Sequence, residues 1–199
     1  MAASEPNSLE WWYSANDVDT WDDLRFPASS INPAGQTGGA AIDTEETDFP
    51  GSILFVHTGP TMIAGLAQIP HEAKYGVGGE LRPHIHWAKT TSAAGEVVWD
   101  FRYRWIGNVG ATAGDWSAAD NGTLGVSHSD TANKHALTAF SAISLADKRP
   151  SAMLAFRLYR TPTAGGDNYD ATARLFELDF HYQRTAGRRG TLLEYPEIS

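Results

Sequence analysis

Residues 96–106 have the sequence EVVWDFRYRWI, in which large apolar side chains alternate with polar ones. Successive side chains of a β-strand point to opposite faces, so this alternation predicts a half-buried strand. Its apolar face comprises Val97, Trp99, Phe101, Tyr103 and Trp105, and its charged face comprises Asp100, Arg102 and Arg104. A strand of this kind needs a second layer of structure to cover its tryptophan-bearing face.

The same alternation recurs on either side of this stretch. Residues 174–184, RLFELDFHYQR, and residues 151–161, SAMLAFRLYRT, are predicted to form further half-buried strands. The buried face of the first is expected to comprise Phe176, Leu178, Phe180 and Tyr182. Shorter strands are predicted at residues 52–58, 62–69, 84–91 and 121–129.

A helix is predicted only at residues 131–145, where Leu137, Phe140 and Leu145 nearly share one helical face. The remaining pattern is seven or eight short strands separated by Gly- and Asn-containing turns, without the alternation of strands and helices that accompanies a parallel sheet. The sequence therefore predicts an all-β fold, an antiparallel β-sandwich of jelly-roll type with an extended N-terminal arm.

The composition excludes several classes of protein. The chain has 199 residues and no cysteine, which is long enough for one domain with a substantial core and excludes disulfides and cysteine-bound zinc. Seven tryptophans argue against a disordered chain. The sequence has no run of about 18 apolar residues and no signal-peptide pattern, so neither a membrane partner nor export is expected.

The negative charge is concentrated in the first quarter of the chain. Residues 1–50 contain ten acidic residues and one basic residue, Arg25, whereas the other 149 residues contain 14 of each sign. A net charge of -9 argues against nucleic acid as a partner. The basic residues near the C-terminus, which include Arg188 and Arg189, could contact the acidic segment of a neighbouring subunit.

Two parts of the chain are expected to differ in role. Residues 1–50 show no sustained periodicity but contain several aromatic residues, and are predicted to form an arm and loop, whereas residues 51–199 form the jelly-roll domain. The arm is expected to be extended, or to form short edge strands, and to lie on its own domain or on a neighbouring subunit. The predicted partner-binding residues are Trp11, Trp12 and Trp21, with Arg188 and Arg189 as weaker contributors.

Two histidines form the most suggestive local motif, Pro83-His84-Ile85-His86-Trp87. Residues two apart on a strand face the same way, so both imidazoles could ligate one metal ion. Gly78 completes the opening Gly-x5-His-x-His of the cupin metal motif, but Thr90 or Thr91 stands where cupins have glutamate, and the second half of the motif is missing. No metal and no cofactor are therefore predicted, with His84 and His86 as the candidate ligands should one bind.

Other local patterns are less specific. Glu177, Asp179 and His181 share one face of a predicted strand and could complete a metal site or act as acid and base, although any solvated strand face has this pattern. No nucleophile or phosphate-binding motif occurs, so the protein is not expected to be an enzyme. Trp105 and Trp116 flank a loop and are candidate glycan contacts.

Two runs of sequence carry a resemblance to a known family. Ile69-Pro70-His71-Glu72-Ala73-Lys74-Tyr75-Gly76 is followed by Leu81-Arg82-Pro83-His84-Ile85-His86-Trp87, and a His181-Tyr182 pair occurs in a late strand. This pattern, over about residues 62 to 190, resembles small structural proteins of tailed bacteriophages that have a Pro-His-x-His-Trp motif. The resemblance implies a component of the virion, made in the host cytoplasm, and carries over no catalytic residues.

The hypothesis that follows is a capsid decoration or cement protein, a homo-oligomer and most simply a trimer, that binds the major capsid protein through its arm. A second hypothesis places the chain in the tail or a tail fibre, among tail proteins, where Trp105 and Trp116 would contact host glycan or anchor a fibre. A third is a cupin-like metal-dependent enzyme with His84 and His86 as ligands.

Overall fold

The computed structural model describes residues 20–31, 40–43, 49–107, 112–118, 120, 123–124, 130–160 and 166–185. These residues form two antiparallel sheets, of eight and three strands, around one apolar core. The prediction of an all-β, antiparallel β-sandwich of jelly-roll type is confirmed. No helix among these residues is long and apolar enough to cross a membrane.

The described part of the chain contains eleven strands and one 3-10 turn, Ala28–Ser30. In chain order the strands are β1 (Thr20–Pro27), β2 (Ala41–Ile42), β3 (Ile53–Phe55), β4 (Thr61–Gln68), β5 (Glu80–Lys89), β6 (Trp99–Gly107), β7 (Thr123–Leu124), β8 (Ala136–Ala139), β9 (Ile143–Ser144), β10 (Met153–Arg160) and β11 (Ala173–Arg184).

Strand β11 lies at the centre of the larger sheet. Strand β5 pairs along one of its edges, while β3 and β1 pair with successive halves of β11. The sheet continues from β5 to β8 and β7, with β9 paired to the start of β5. The smaller sheet has the order β4-β10-β6. The two strands with the longest predicted alternation, β6 and β11, therefore lie in opposite layers.

Strand β6 has the predicted alternation. Trp99 and Phe101 are buried, and Tyr103 and Trp105 are partly buried and pack against the core. The indole of Trp99 makes edge-to-face contacts with Phe55 and Trp87 of the opposite sheet, at ring-centroid distances of 4.9 and 5.7 Å. Aromatic side chains from both layers thus fill the space between the sheets.

The predicted helix at residues 131–145 is wrong. This segment contains β8 and β9, which pair with β5 at Ala139 opposite His84 and at Ile143 opposite Leu81. Two of the three apolar residues that suggested a helix, Phe140 and Leu145, are nevertheless core residues, whereas Leu137 is only partly buried. Pairing with an existing sheet supplies the backbone hydrogen bonds that a helix would otherwise make, and this tertiary contact outweighs local spacing.

The first quarter of the chain contains a regular strand, β1, which is of the kind that the sequence analysis gave as one alternative for this segment, a short edge strand on its own domain. In β1, Leu24 and Phe26 face inward and pack against the core, and the ring of Phe26 lies 5.2 Å from that of Phe156. Thr20–Pro27 thus forms a strand although the segment shows no sustained periodicity in sequence. The short run of two large apolar residues among charges gives a weak local signal, and pairing with β11 makes it a strand.

An almost fully buried ion pair joins Arg160 and Asp167. The guanidinium of Arg160 donates two hydrogen bonds of 3.1 Å to the two carboxylate oxygens of Asp167, and both side chains are almost fully buried. The same guanidinium donates to the carbonyl oxygens of Phe55, Ala171 and Tyr169. The pair ties the end of β10 to the segment before β11.

Candidate functional site

The outer face of the larger sheet carries a cluster of histidines and a carboxylate. His84 and His86 lie two residues apart on β5, and Asp179 and His181 lie two residues apart on β11, so each pair faces the same side. The register places Asp179 directly opposite His84. The same-face pair on β5 and the same-face pair on β11, each ordinary in sequence, are therefore neighbours in the sheet.

A bulge in β11 shapes one side of this cluster. The pairing with β5 shifts register between Leu175 and Glu177, which leaves Phe176 as the extra residue. Phe176 is only partly buried and lines the hollow above the cluster, so its predicted place in the buried face is wrong. The other three predicted residues of that face, Leu178, Phe180 and Tyr182, are buried.

The Asp179 carboxylate is the centre of the cluster. Its Oδ1 lies 2.6 Å from Nε2 of His84, and its Oδ2 lies 3.5 Å from Nε2 of His86. The side chains of His84 and Asp179 are each only 5% exposed. No aligned hydrogen bond reaches Asp179 Oδ1, which is a buried acceptor without a hydrogen-bond partner.

The outer part of the cluster is more exposed. Nε2 of His181 lies 2.9 Å from Oδ1 of Asp23 on β1, and both side chains are 43% exposed. The ring of His181 lies over that of His84, with centroids 4.1 Å apart. Strand β1 therefore contributes a carboxylate to the cluster, in addition to its apolar contacts with the core.

A fourth histidine stacks on the side of β8. The rings of His86 and His135 are 4.9 Å apart, and Nδ1 of His86 lies 2.7 Å from Nε2 of His135. One of these nitrogens donates a proton to the other. His135 thus holds the orientation of the His86 ring.

The buried pair shifts the pKa values of both its members. Burial alone would raise the pKa of Asp179, but the combined contacts with His84 and His86 outweigh it and lower this pKa to about 2. Burial likewise opposes the charged form of His84, yet the contacts with Asp179 raise the pKa of His84 above its ordinary value. Each group therefore favours the ionised form of the other.

The cluster lies at the base of an open hollow of about 560 Å³. His84, Asp179 and His181 each place one potential ligand atom there, and these atoms all lie within 4.8 Å of one another. The hollow is lined by Asp23, Arg25, His84, His86, His135, Leu137, Phe176, Glu177, Asp179 and His181. Imidazole and carboxylate groups in this arrangement can hold a metal ion or exchange protons.

The sequence analysis identified the cluster only in fragments. It considered His84 and His86 as one candidate set, and Glu177, Asp179 and His181 as another. The structure brings both sets to one hollow and adds Asp23 and His135. The sequence contains no signal for His135, because its proximity to His86 depends on the pairing of β8 with β5.

The candidate glycan contacts are associated with the smaller sheet: Trp105 lies on β6 and packs against the core, and Trp116 lies against side chains of β6 and β10. The indole of Trp116 has the guanidinium of Arg157 at 3.9 Å and that of Arg104 at 5.1 Å from its ring centre. Trp105 has the Lys148 ammonium at 4.9 Å from its ring centre. These cations lie against the indoles, the rings on which a sugar would have to stack.

The candidate partner-binding residues fall into two groups. Trp21 lies on β1, is 42% exposed, and has the Arg82 guanidinium 4.6 Å from its ring centre. The other four lie outside the described residues: Trp11, Trp12, Arg188 and Arg189.

No protein-family model matches this chain, and no curated protein matches it. Among solved structures, it is similar to a carbohydrate-binding module, CBM36, in complex with calcium and xylotriose. The two share 13% sequence identity with a TM-score of 0.42, and the match covers 79% of this chain and 98% of that chain. It is also similar to a chain of infectious bursal disease virus, Gx strain, at 13% identity and a TM-score of 0.41, over 85% of this chain. The Gt strain gives 14% identity and a TM-score of 0.40, over 86% of this chain. This chain spans about a third, 33%, of the length of either viral chain.

Proposed function

We propose that the protein is a structural component of a bacteriophage virion, a capsid decoration or cement protein that binds neighbouring capsid subunits. The observation that carries this proposal is an exposed tryptophan, Trp21, on the edge strand β1. The sequence resemblance to small phage structural proteins supports the same role. The protein acts by binding geometry and has no catalytic step.

Strand β1 has the features of a docking edge. Within the described residues it pairs with β11 alone, so its second edge is available to an added strand. Its charged residues Asp22, Asp23 and Arg25 restrict which strand can pair there. Trp21 supplies a large apolar surface at the end of this edge, and tryptophan is enriched among the residues that dominate interface energies.

The residues that precede β1 in the sequence contain two further tryptophans. Trp11 and Trp12 lie within ten residues of Trp21, in the acidic first quarter of the chain. We assign the major capsid protein as the partner of this segment and a homotrimer as the assembled form. A contact of modest binding free energy, repeated over the many subunits of a closed shell, gives a large total stabilisation of that shell.

The test uses virions of the phage that encodes the chain. Mass spectrometry of purified particles is expected to find the chain in many copies, and electron microscopy of labelled protein to place it on the capsid. In solution, light scattering is expected to give three times the 21.6 kDa chain mass. A chain absent from purified particles would overturn the proposal, and label on the tail would favour the tail hypothesis instead.

A variant tests whether the exposed Trp21 contributes to capsid binding. Trp21→Ala is expected to weaken binding to capsids that lack the chain by more than about tenfold, because tryptophan anchors commonly contribute about 2 kcal/mol or more. Val77→Ala is the matched control, since Val77 is the most exposed of the large apolar residues described but lies in the turn before β5. Equal affinities of the two variants would show that β1 is not the docking edge.

A further inference from the structure

Three ligand-type side chains converge on the outer face of the larger sheet without belonging to the docking edge. One atom from each of His84, Asp179 and His181 lies within 4.8 Å of the others. Ligands bound to zinc at about 2.1 Å in a tetrahedron lie about 3.4 Å apart. Small side-chain rotations are therefore enough to bring the three atoms onto one ion.

The unsatisfied oxygen of Asp179 is an independent observation that points to a ligand. This residue is 3% exposed, and its Oδ1 has no hydrogen-bond partner. Buried carboxylate oxygens are normally paired or coordinate a metal. The oxygen faces Nε2 of His84 at 2.6 Å, so the unsatisfied group is aimed into the cluster itself.

The tautomer of His84 supports the same assignment. Nδ1 of His84 lies 3.4 Å from the carbonyl oxygen of Arg82 and can donate a hydrogen bond to it. In that tautomer Nε2 can take up either a second proton or a metal ion. At 2.6 Å a proton lies between Nε2 and the Asp179 oxygen, and a metal ion replaces this proton when the two atoms open to about 3.4 Å. A backbone carbonyl on the far ring nitrogen is also the usual support of a metal-bound histidine.

The neighbours of the cluster are placed as supports for such a site. Asp23 Oδ1 lies 2.9 Å from Nε2 of His181, and His135 fixes the ring of His86 through the 2.7 Å contact. His86 Nε2 lies 3.5 Å from the second oxygen of Asp179. The fourth position of a tetrahedron therefore falls to His86 or to a water molecule from the hollow.

We propose that His84, Asp179 and His181 bind one divalent transition-metal ion, and that this ion is Zn²⁺. Calcium and magnesium prefer sites made of oxygen ligands, whereas two imidazoles with one carboxylate suit zinc. This proposal differs from the sequence-based expectation that no metal binds. The ion joins β5 to β11 at the centre of the larger sheet, and none of its three ligands lies on the docking edge β1, which contributes only the supporting Asp23.

The experiment uses the untagged full-length protein after dialysis against a chelator. Titration calorimetry with zinc chloride is expected to give one ion per chain, and zinc is expected to raise the unfolding temperature. Cobalt chloride is expected to give the intense visible absorption of a four-coordinate site, which added zinc removes. Magnesium chloride at the same concentration is expected to bind at least tenfold more weakly.

Two variants and one control assign the site. His181→Asn is the main variant, because this exposed side chain contributes little to the core, and it is expected to weaken zinc binding by more than tenfold. Asp179→Asn is expected to do so as well. His57→Asn removes an exposed histidine outside the cluster and is expected to leave binding unchanged.

Two results would overturn the proposal. One is wild-type protein with no zinc binding below millimolar concentration and no visible cobalt spectrum, a result that does not depend on how any variant folds. The other is a folded His181→Asn variant, checked by circular dichroism, that binds zinc as tightly as the wild type and the His57→Asn control do.

Discussion

Two of the three buried carboxylates among the described residues, Asp167 and Asp179, are held in different ways. Asp167 accepts two hydrogen bonds from the Arg160 guanidinium and a third from the backbone N–H of Val98. Asp179 is paired with two histidines and has one oxygen without a hydrogen bond. Both lie in the sandwich scaffold, but only the second faces an open hollow.

The two carboxylates differ in the type of side chain with which each is paired. A guanidinium is always charged and has no lone pair, so the pair of Arg160 and Asp167 is complete in itself. An imidazole near its pKa has both a proton to give and a lone pair to share, so the pair of His84 and Asp179 can still change its state. A buried carboxylate is thus part of a completed ion pair in one place and of a pair that can still change its protonation state in the other.

The largest expected effect comes from breaking the completed pair. Arg160→Met leaves the buried Asp167 without its cation and is expected to lower the free energy of unfolding by about 3 to 5 kcal/mol. Urea unfolding followed by tryptophan fluorescence measures this loss. A Met153→Leu variant on the same strand is the control, since it exchanges apolar side chains and is expected to cost less than about 1.5 kcal/mol. A loss of under 1 kcal/mol in Arg160→Met would remove the contrast between the two carboxylates.

A smaller effect is expected from titrating the pair of His84 and Asp179 in metal-free protein. The pKa of Asp179 is lowered to about 2, so its stabilisation is full above the ordinary carboxylate pKa and is lost as pH falls toward 2. The pKa of His84 is raised, so its stabilisation is full below the ordinary imidazole pKa near 6.5 and is lost as pH rises through the shifted value. The pair should therefore stabilise most between about pH 4 and 6.5.

The measurement is the free energy of unfolding in urea across that pH range. The wild type is expected to exceed Asp179→Asn by about 1 to 3 kcal/mol near pH 5.5, with the difference shrinking at higher and lower pH. The shape of this difference is diagnostic, because other titrating groups change both proteins alike. A difference that does not vary with pH would show that Asp179 contributes only by packing.

The smallest effect is expected at the rim of the hollow. Arg25 and Glu177 form a two-bond ion pair at 2.6 and 2.7 Å, but the Arg25 side chain is 63% exposed. Water and salt screen such a pair, so Arg25→Ala is expected to leave the urea midpoint unchanged within error. A midpoint shift as large as that of Arg160→Met would contradict the view that burial separates the ion pairs of this protein.

Much of the fold follows from local sequence pattern. The alternation in residues 96–106, 151–161 and 174–184 predicts β6, β10 and β11 to within three residues at each end. Alternation is sufficient here because each strand presents one face to the apolar core. The signal is weak for β1, where only Leu24 and Phe26 face the core, and misleading for residues 131–145, where strand pairing outweighs helical spacing.

The candidate site follows from the sequence only in part. Same-face geometry relates His84 to His86 and Asp179 to His181, because residues two apart on a strand are neighbours. Their meeting depends on the register of β5 against β11, and a shift of one residue would turn one set toward the core. The placement of Asp23 and His135 depends on two further pairings, of β1 and β8.

The sequence by itself determined that this chain is an antiparallel β-sandwich with an aromatic core, because side-chain alternation and composition are properties of each segment alone. Only the tertiary structure decided that a buried carboxylate would stand between histidines from separate strands, with one oxygen unsatisfied. Strand order and register minimise the free energy of the whole core, and no single segment contains the information for them.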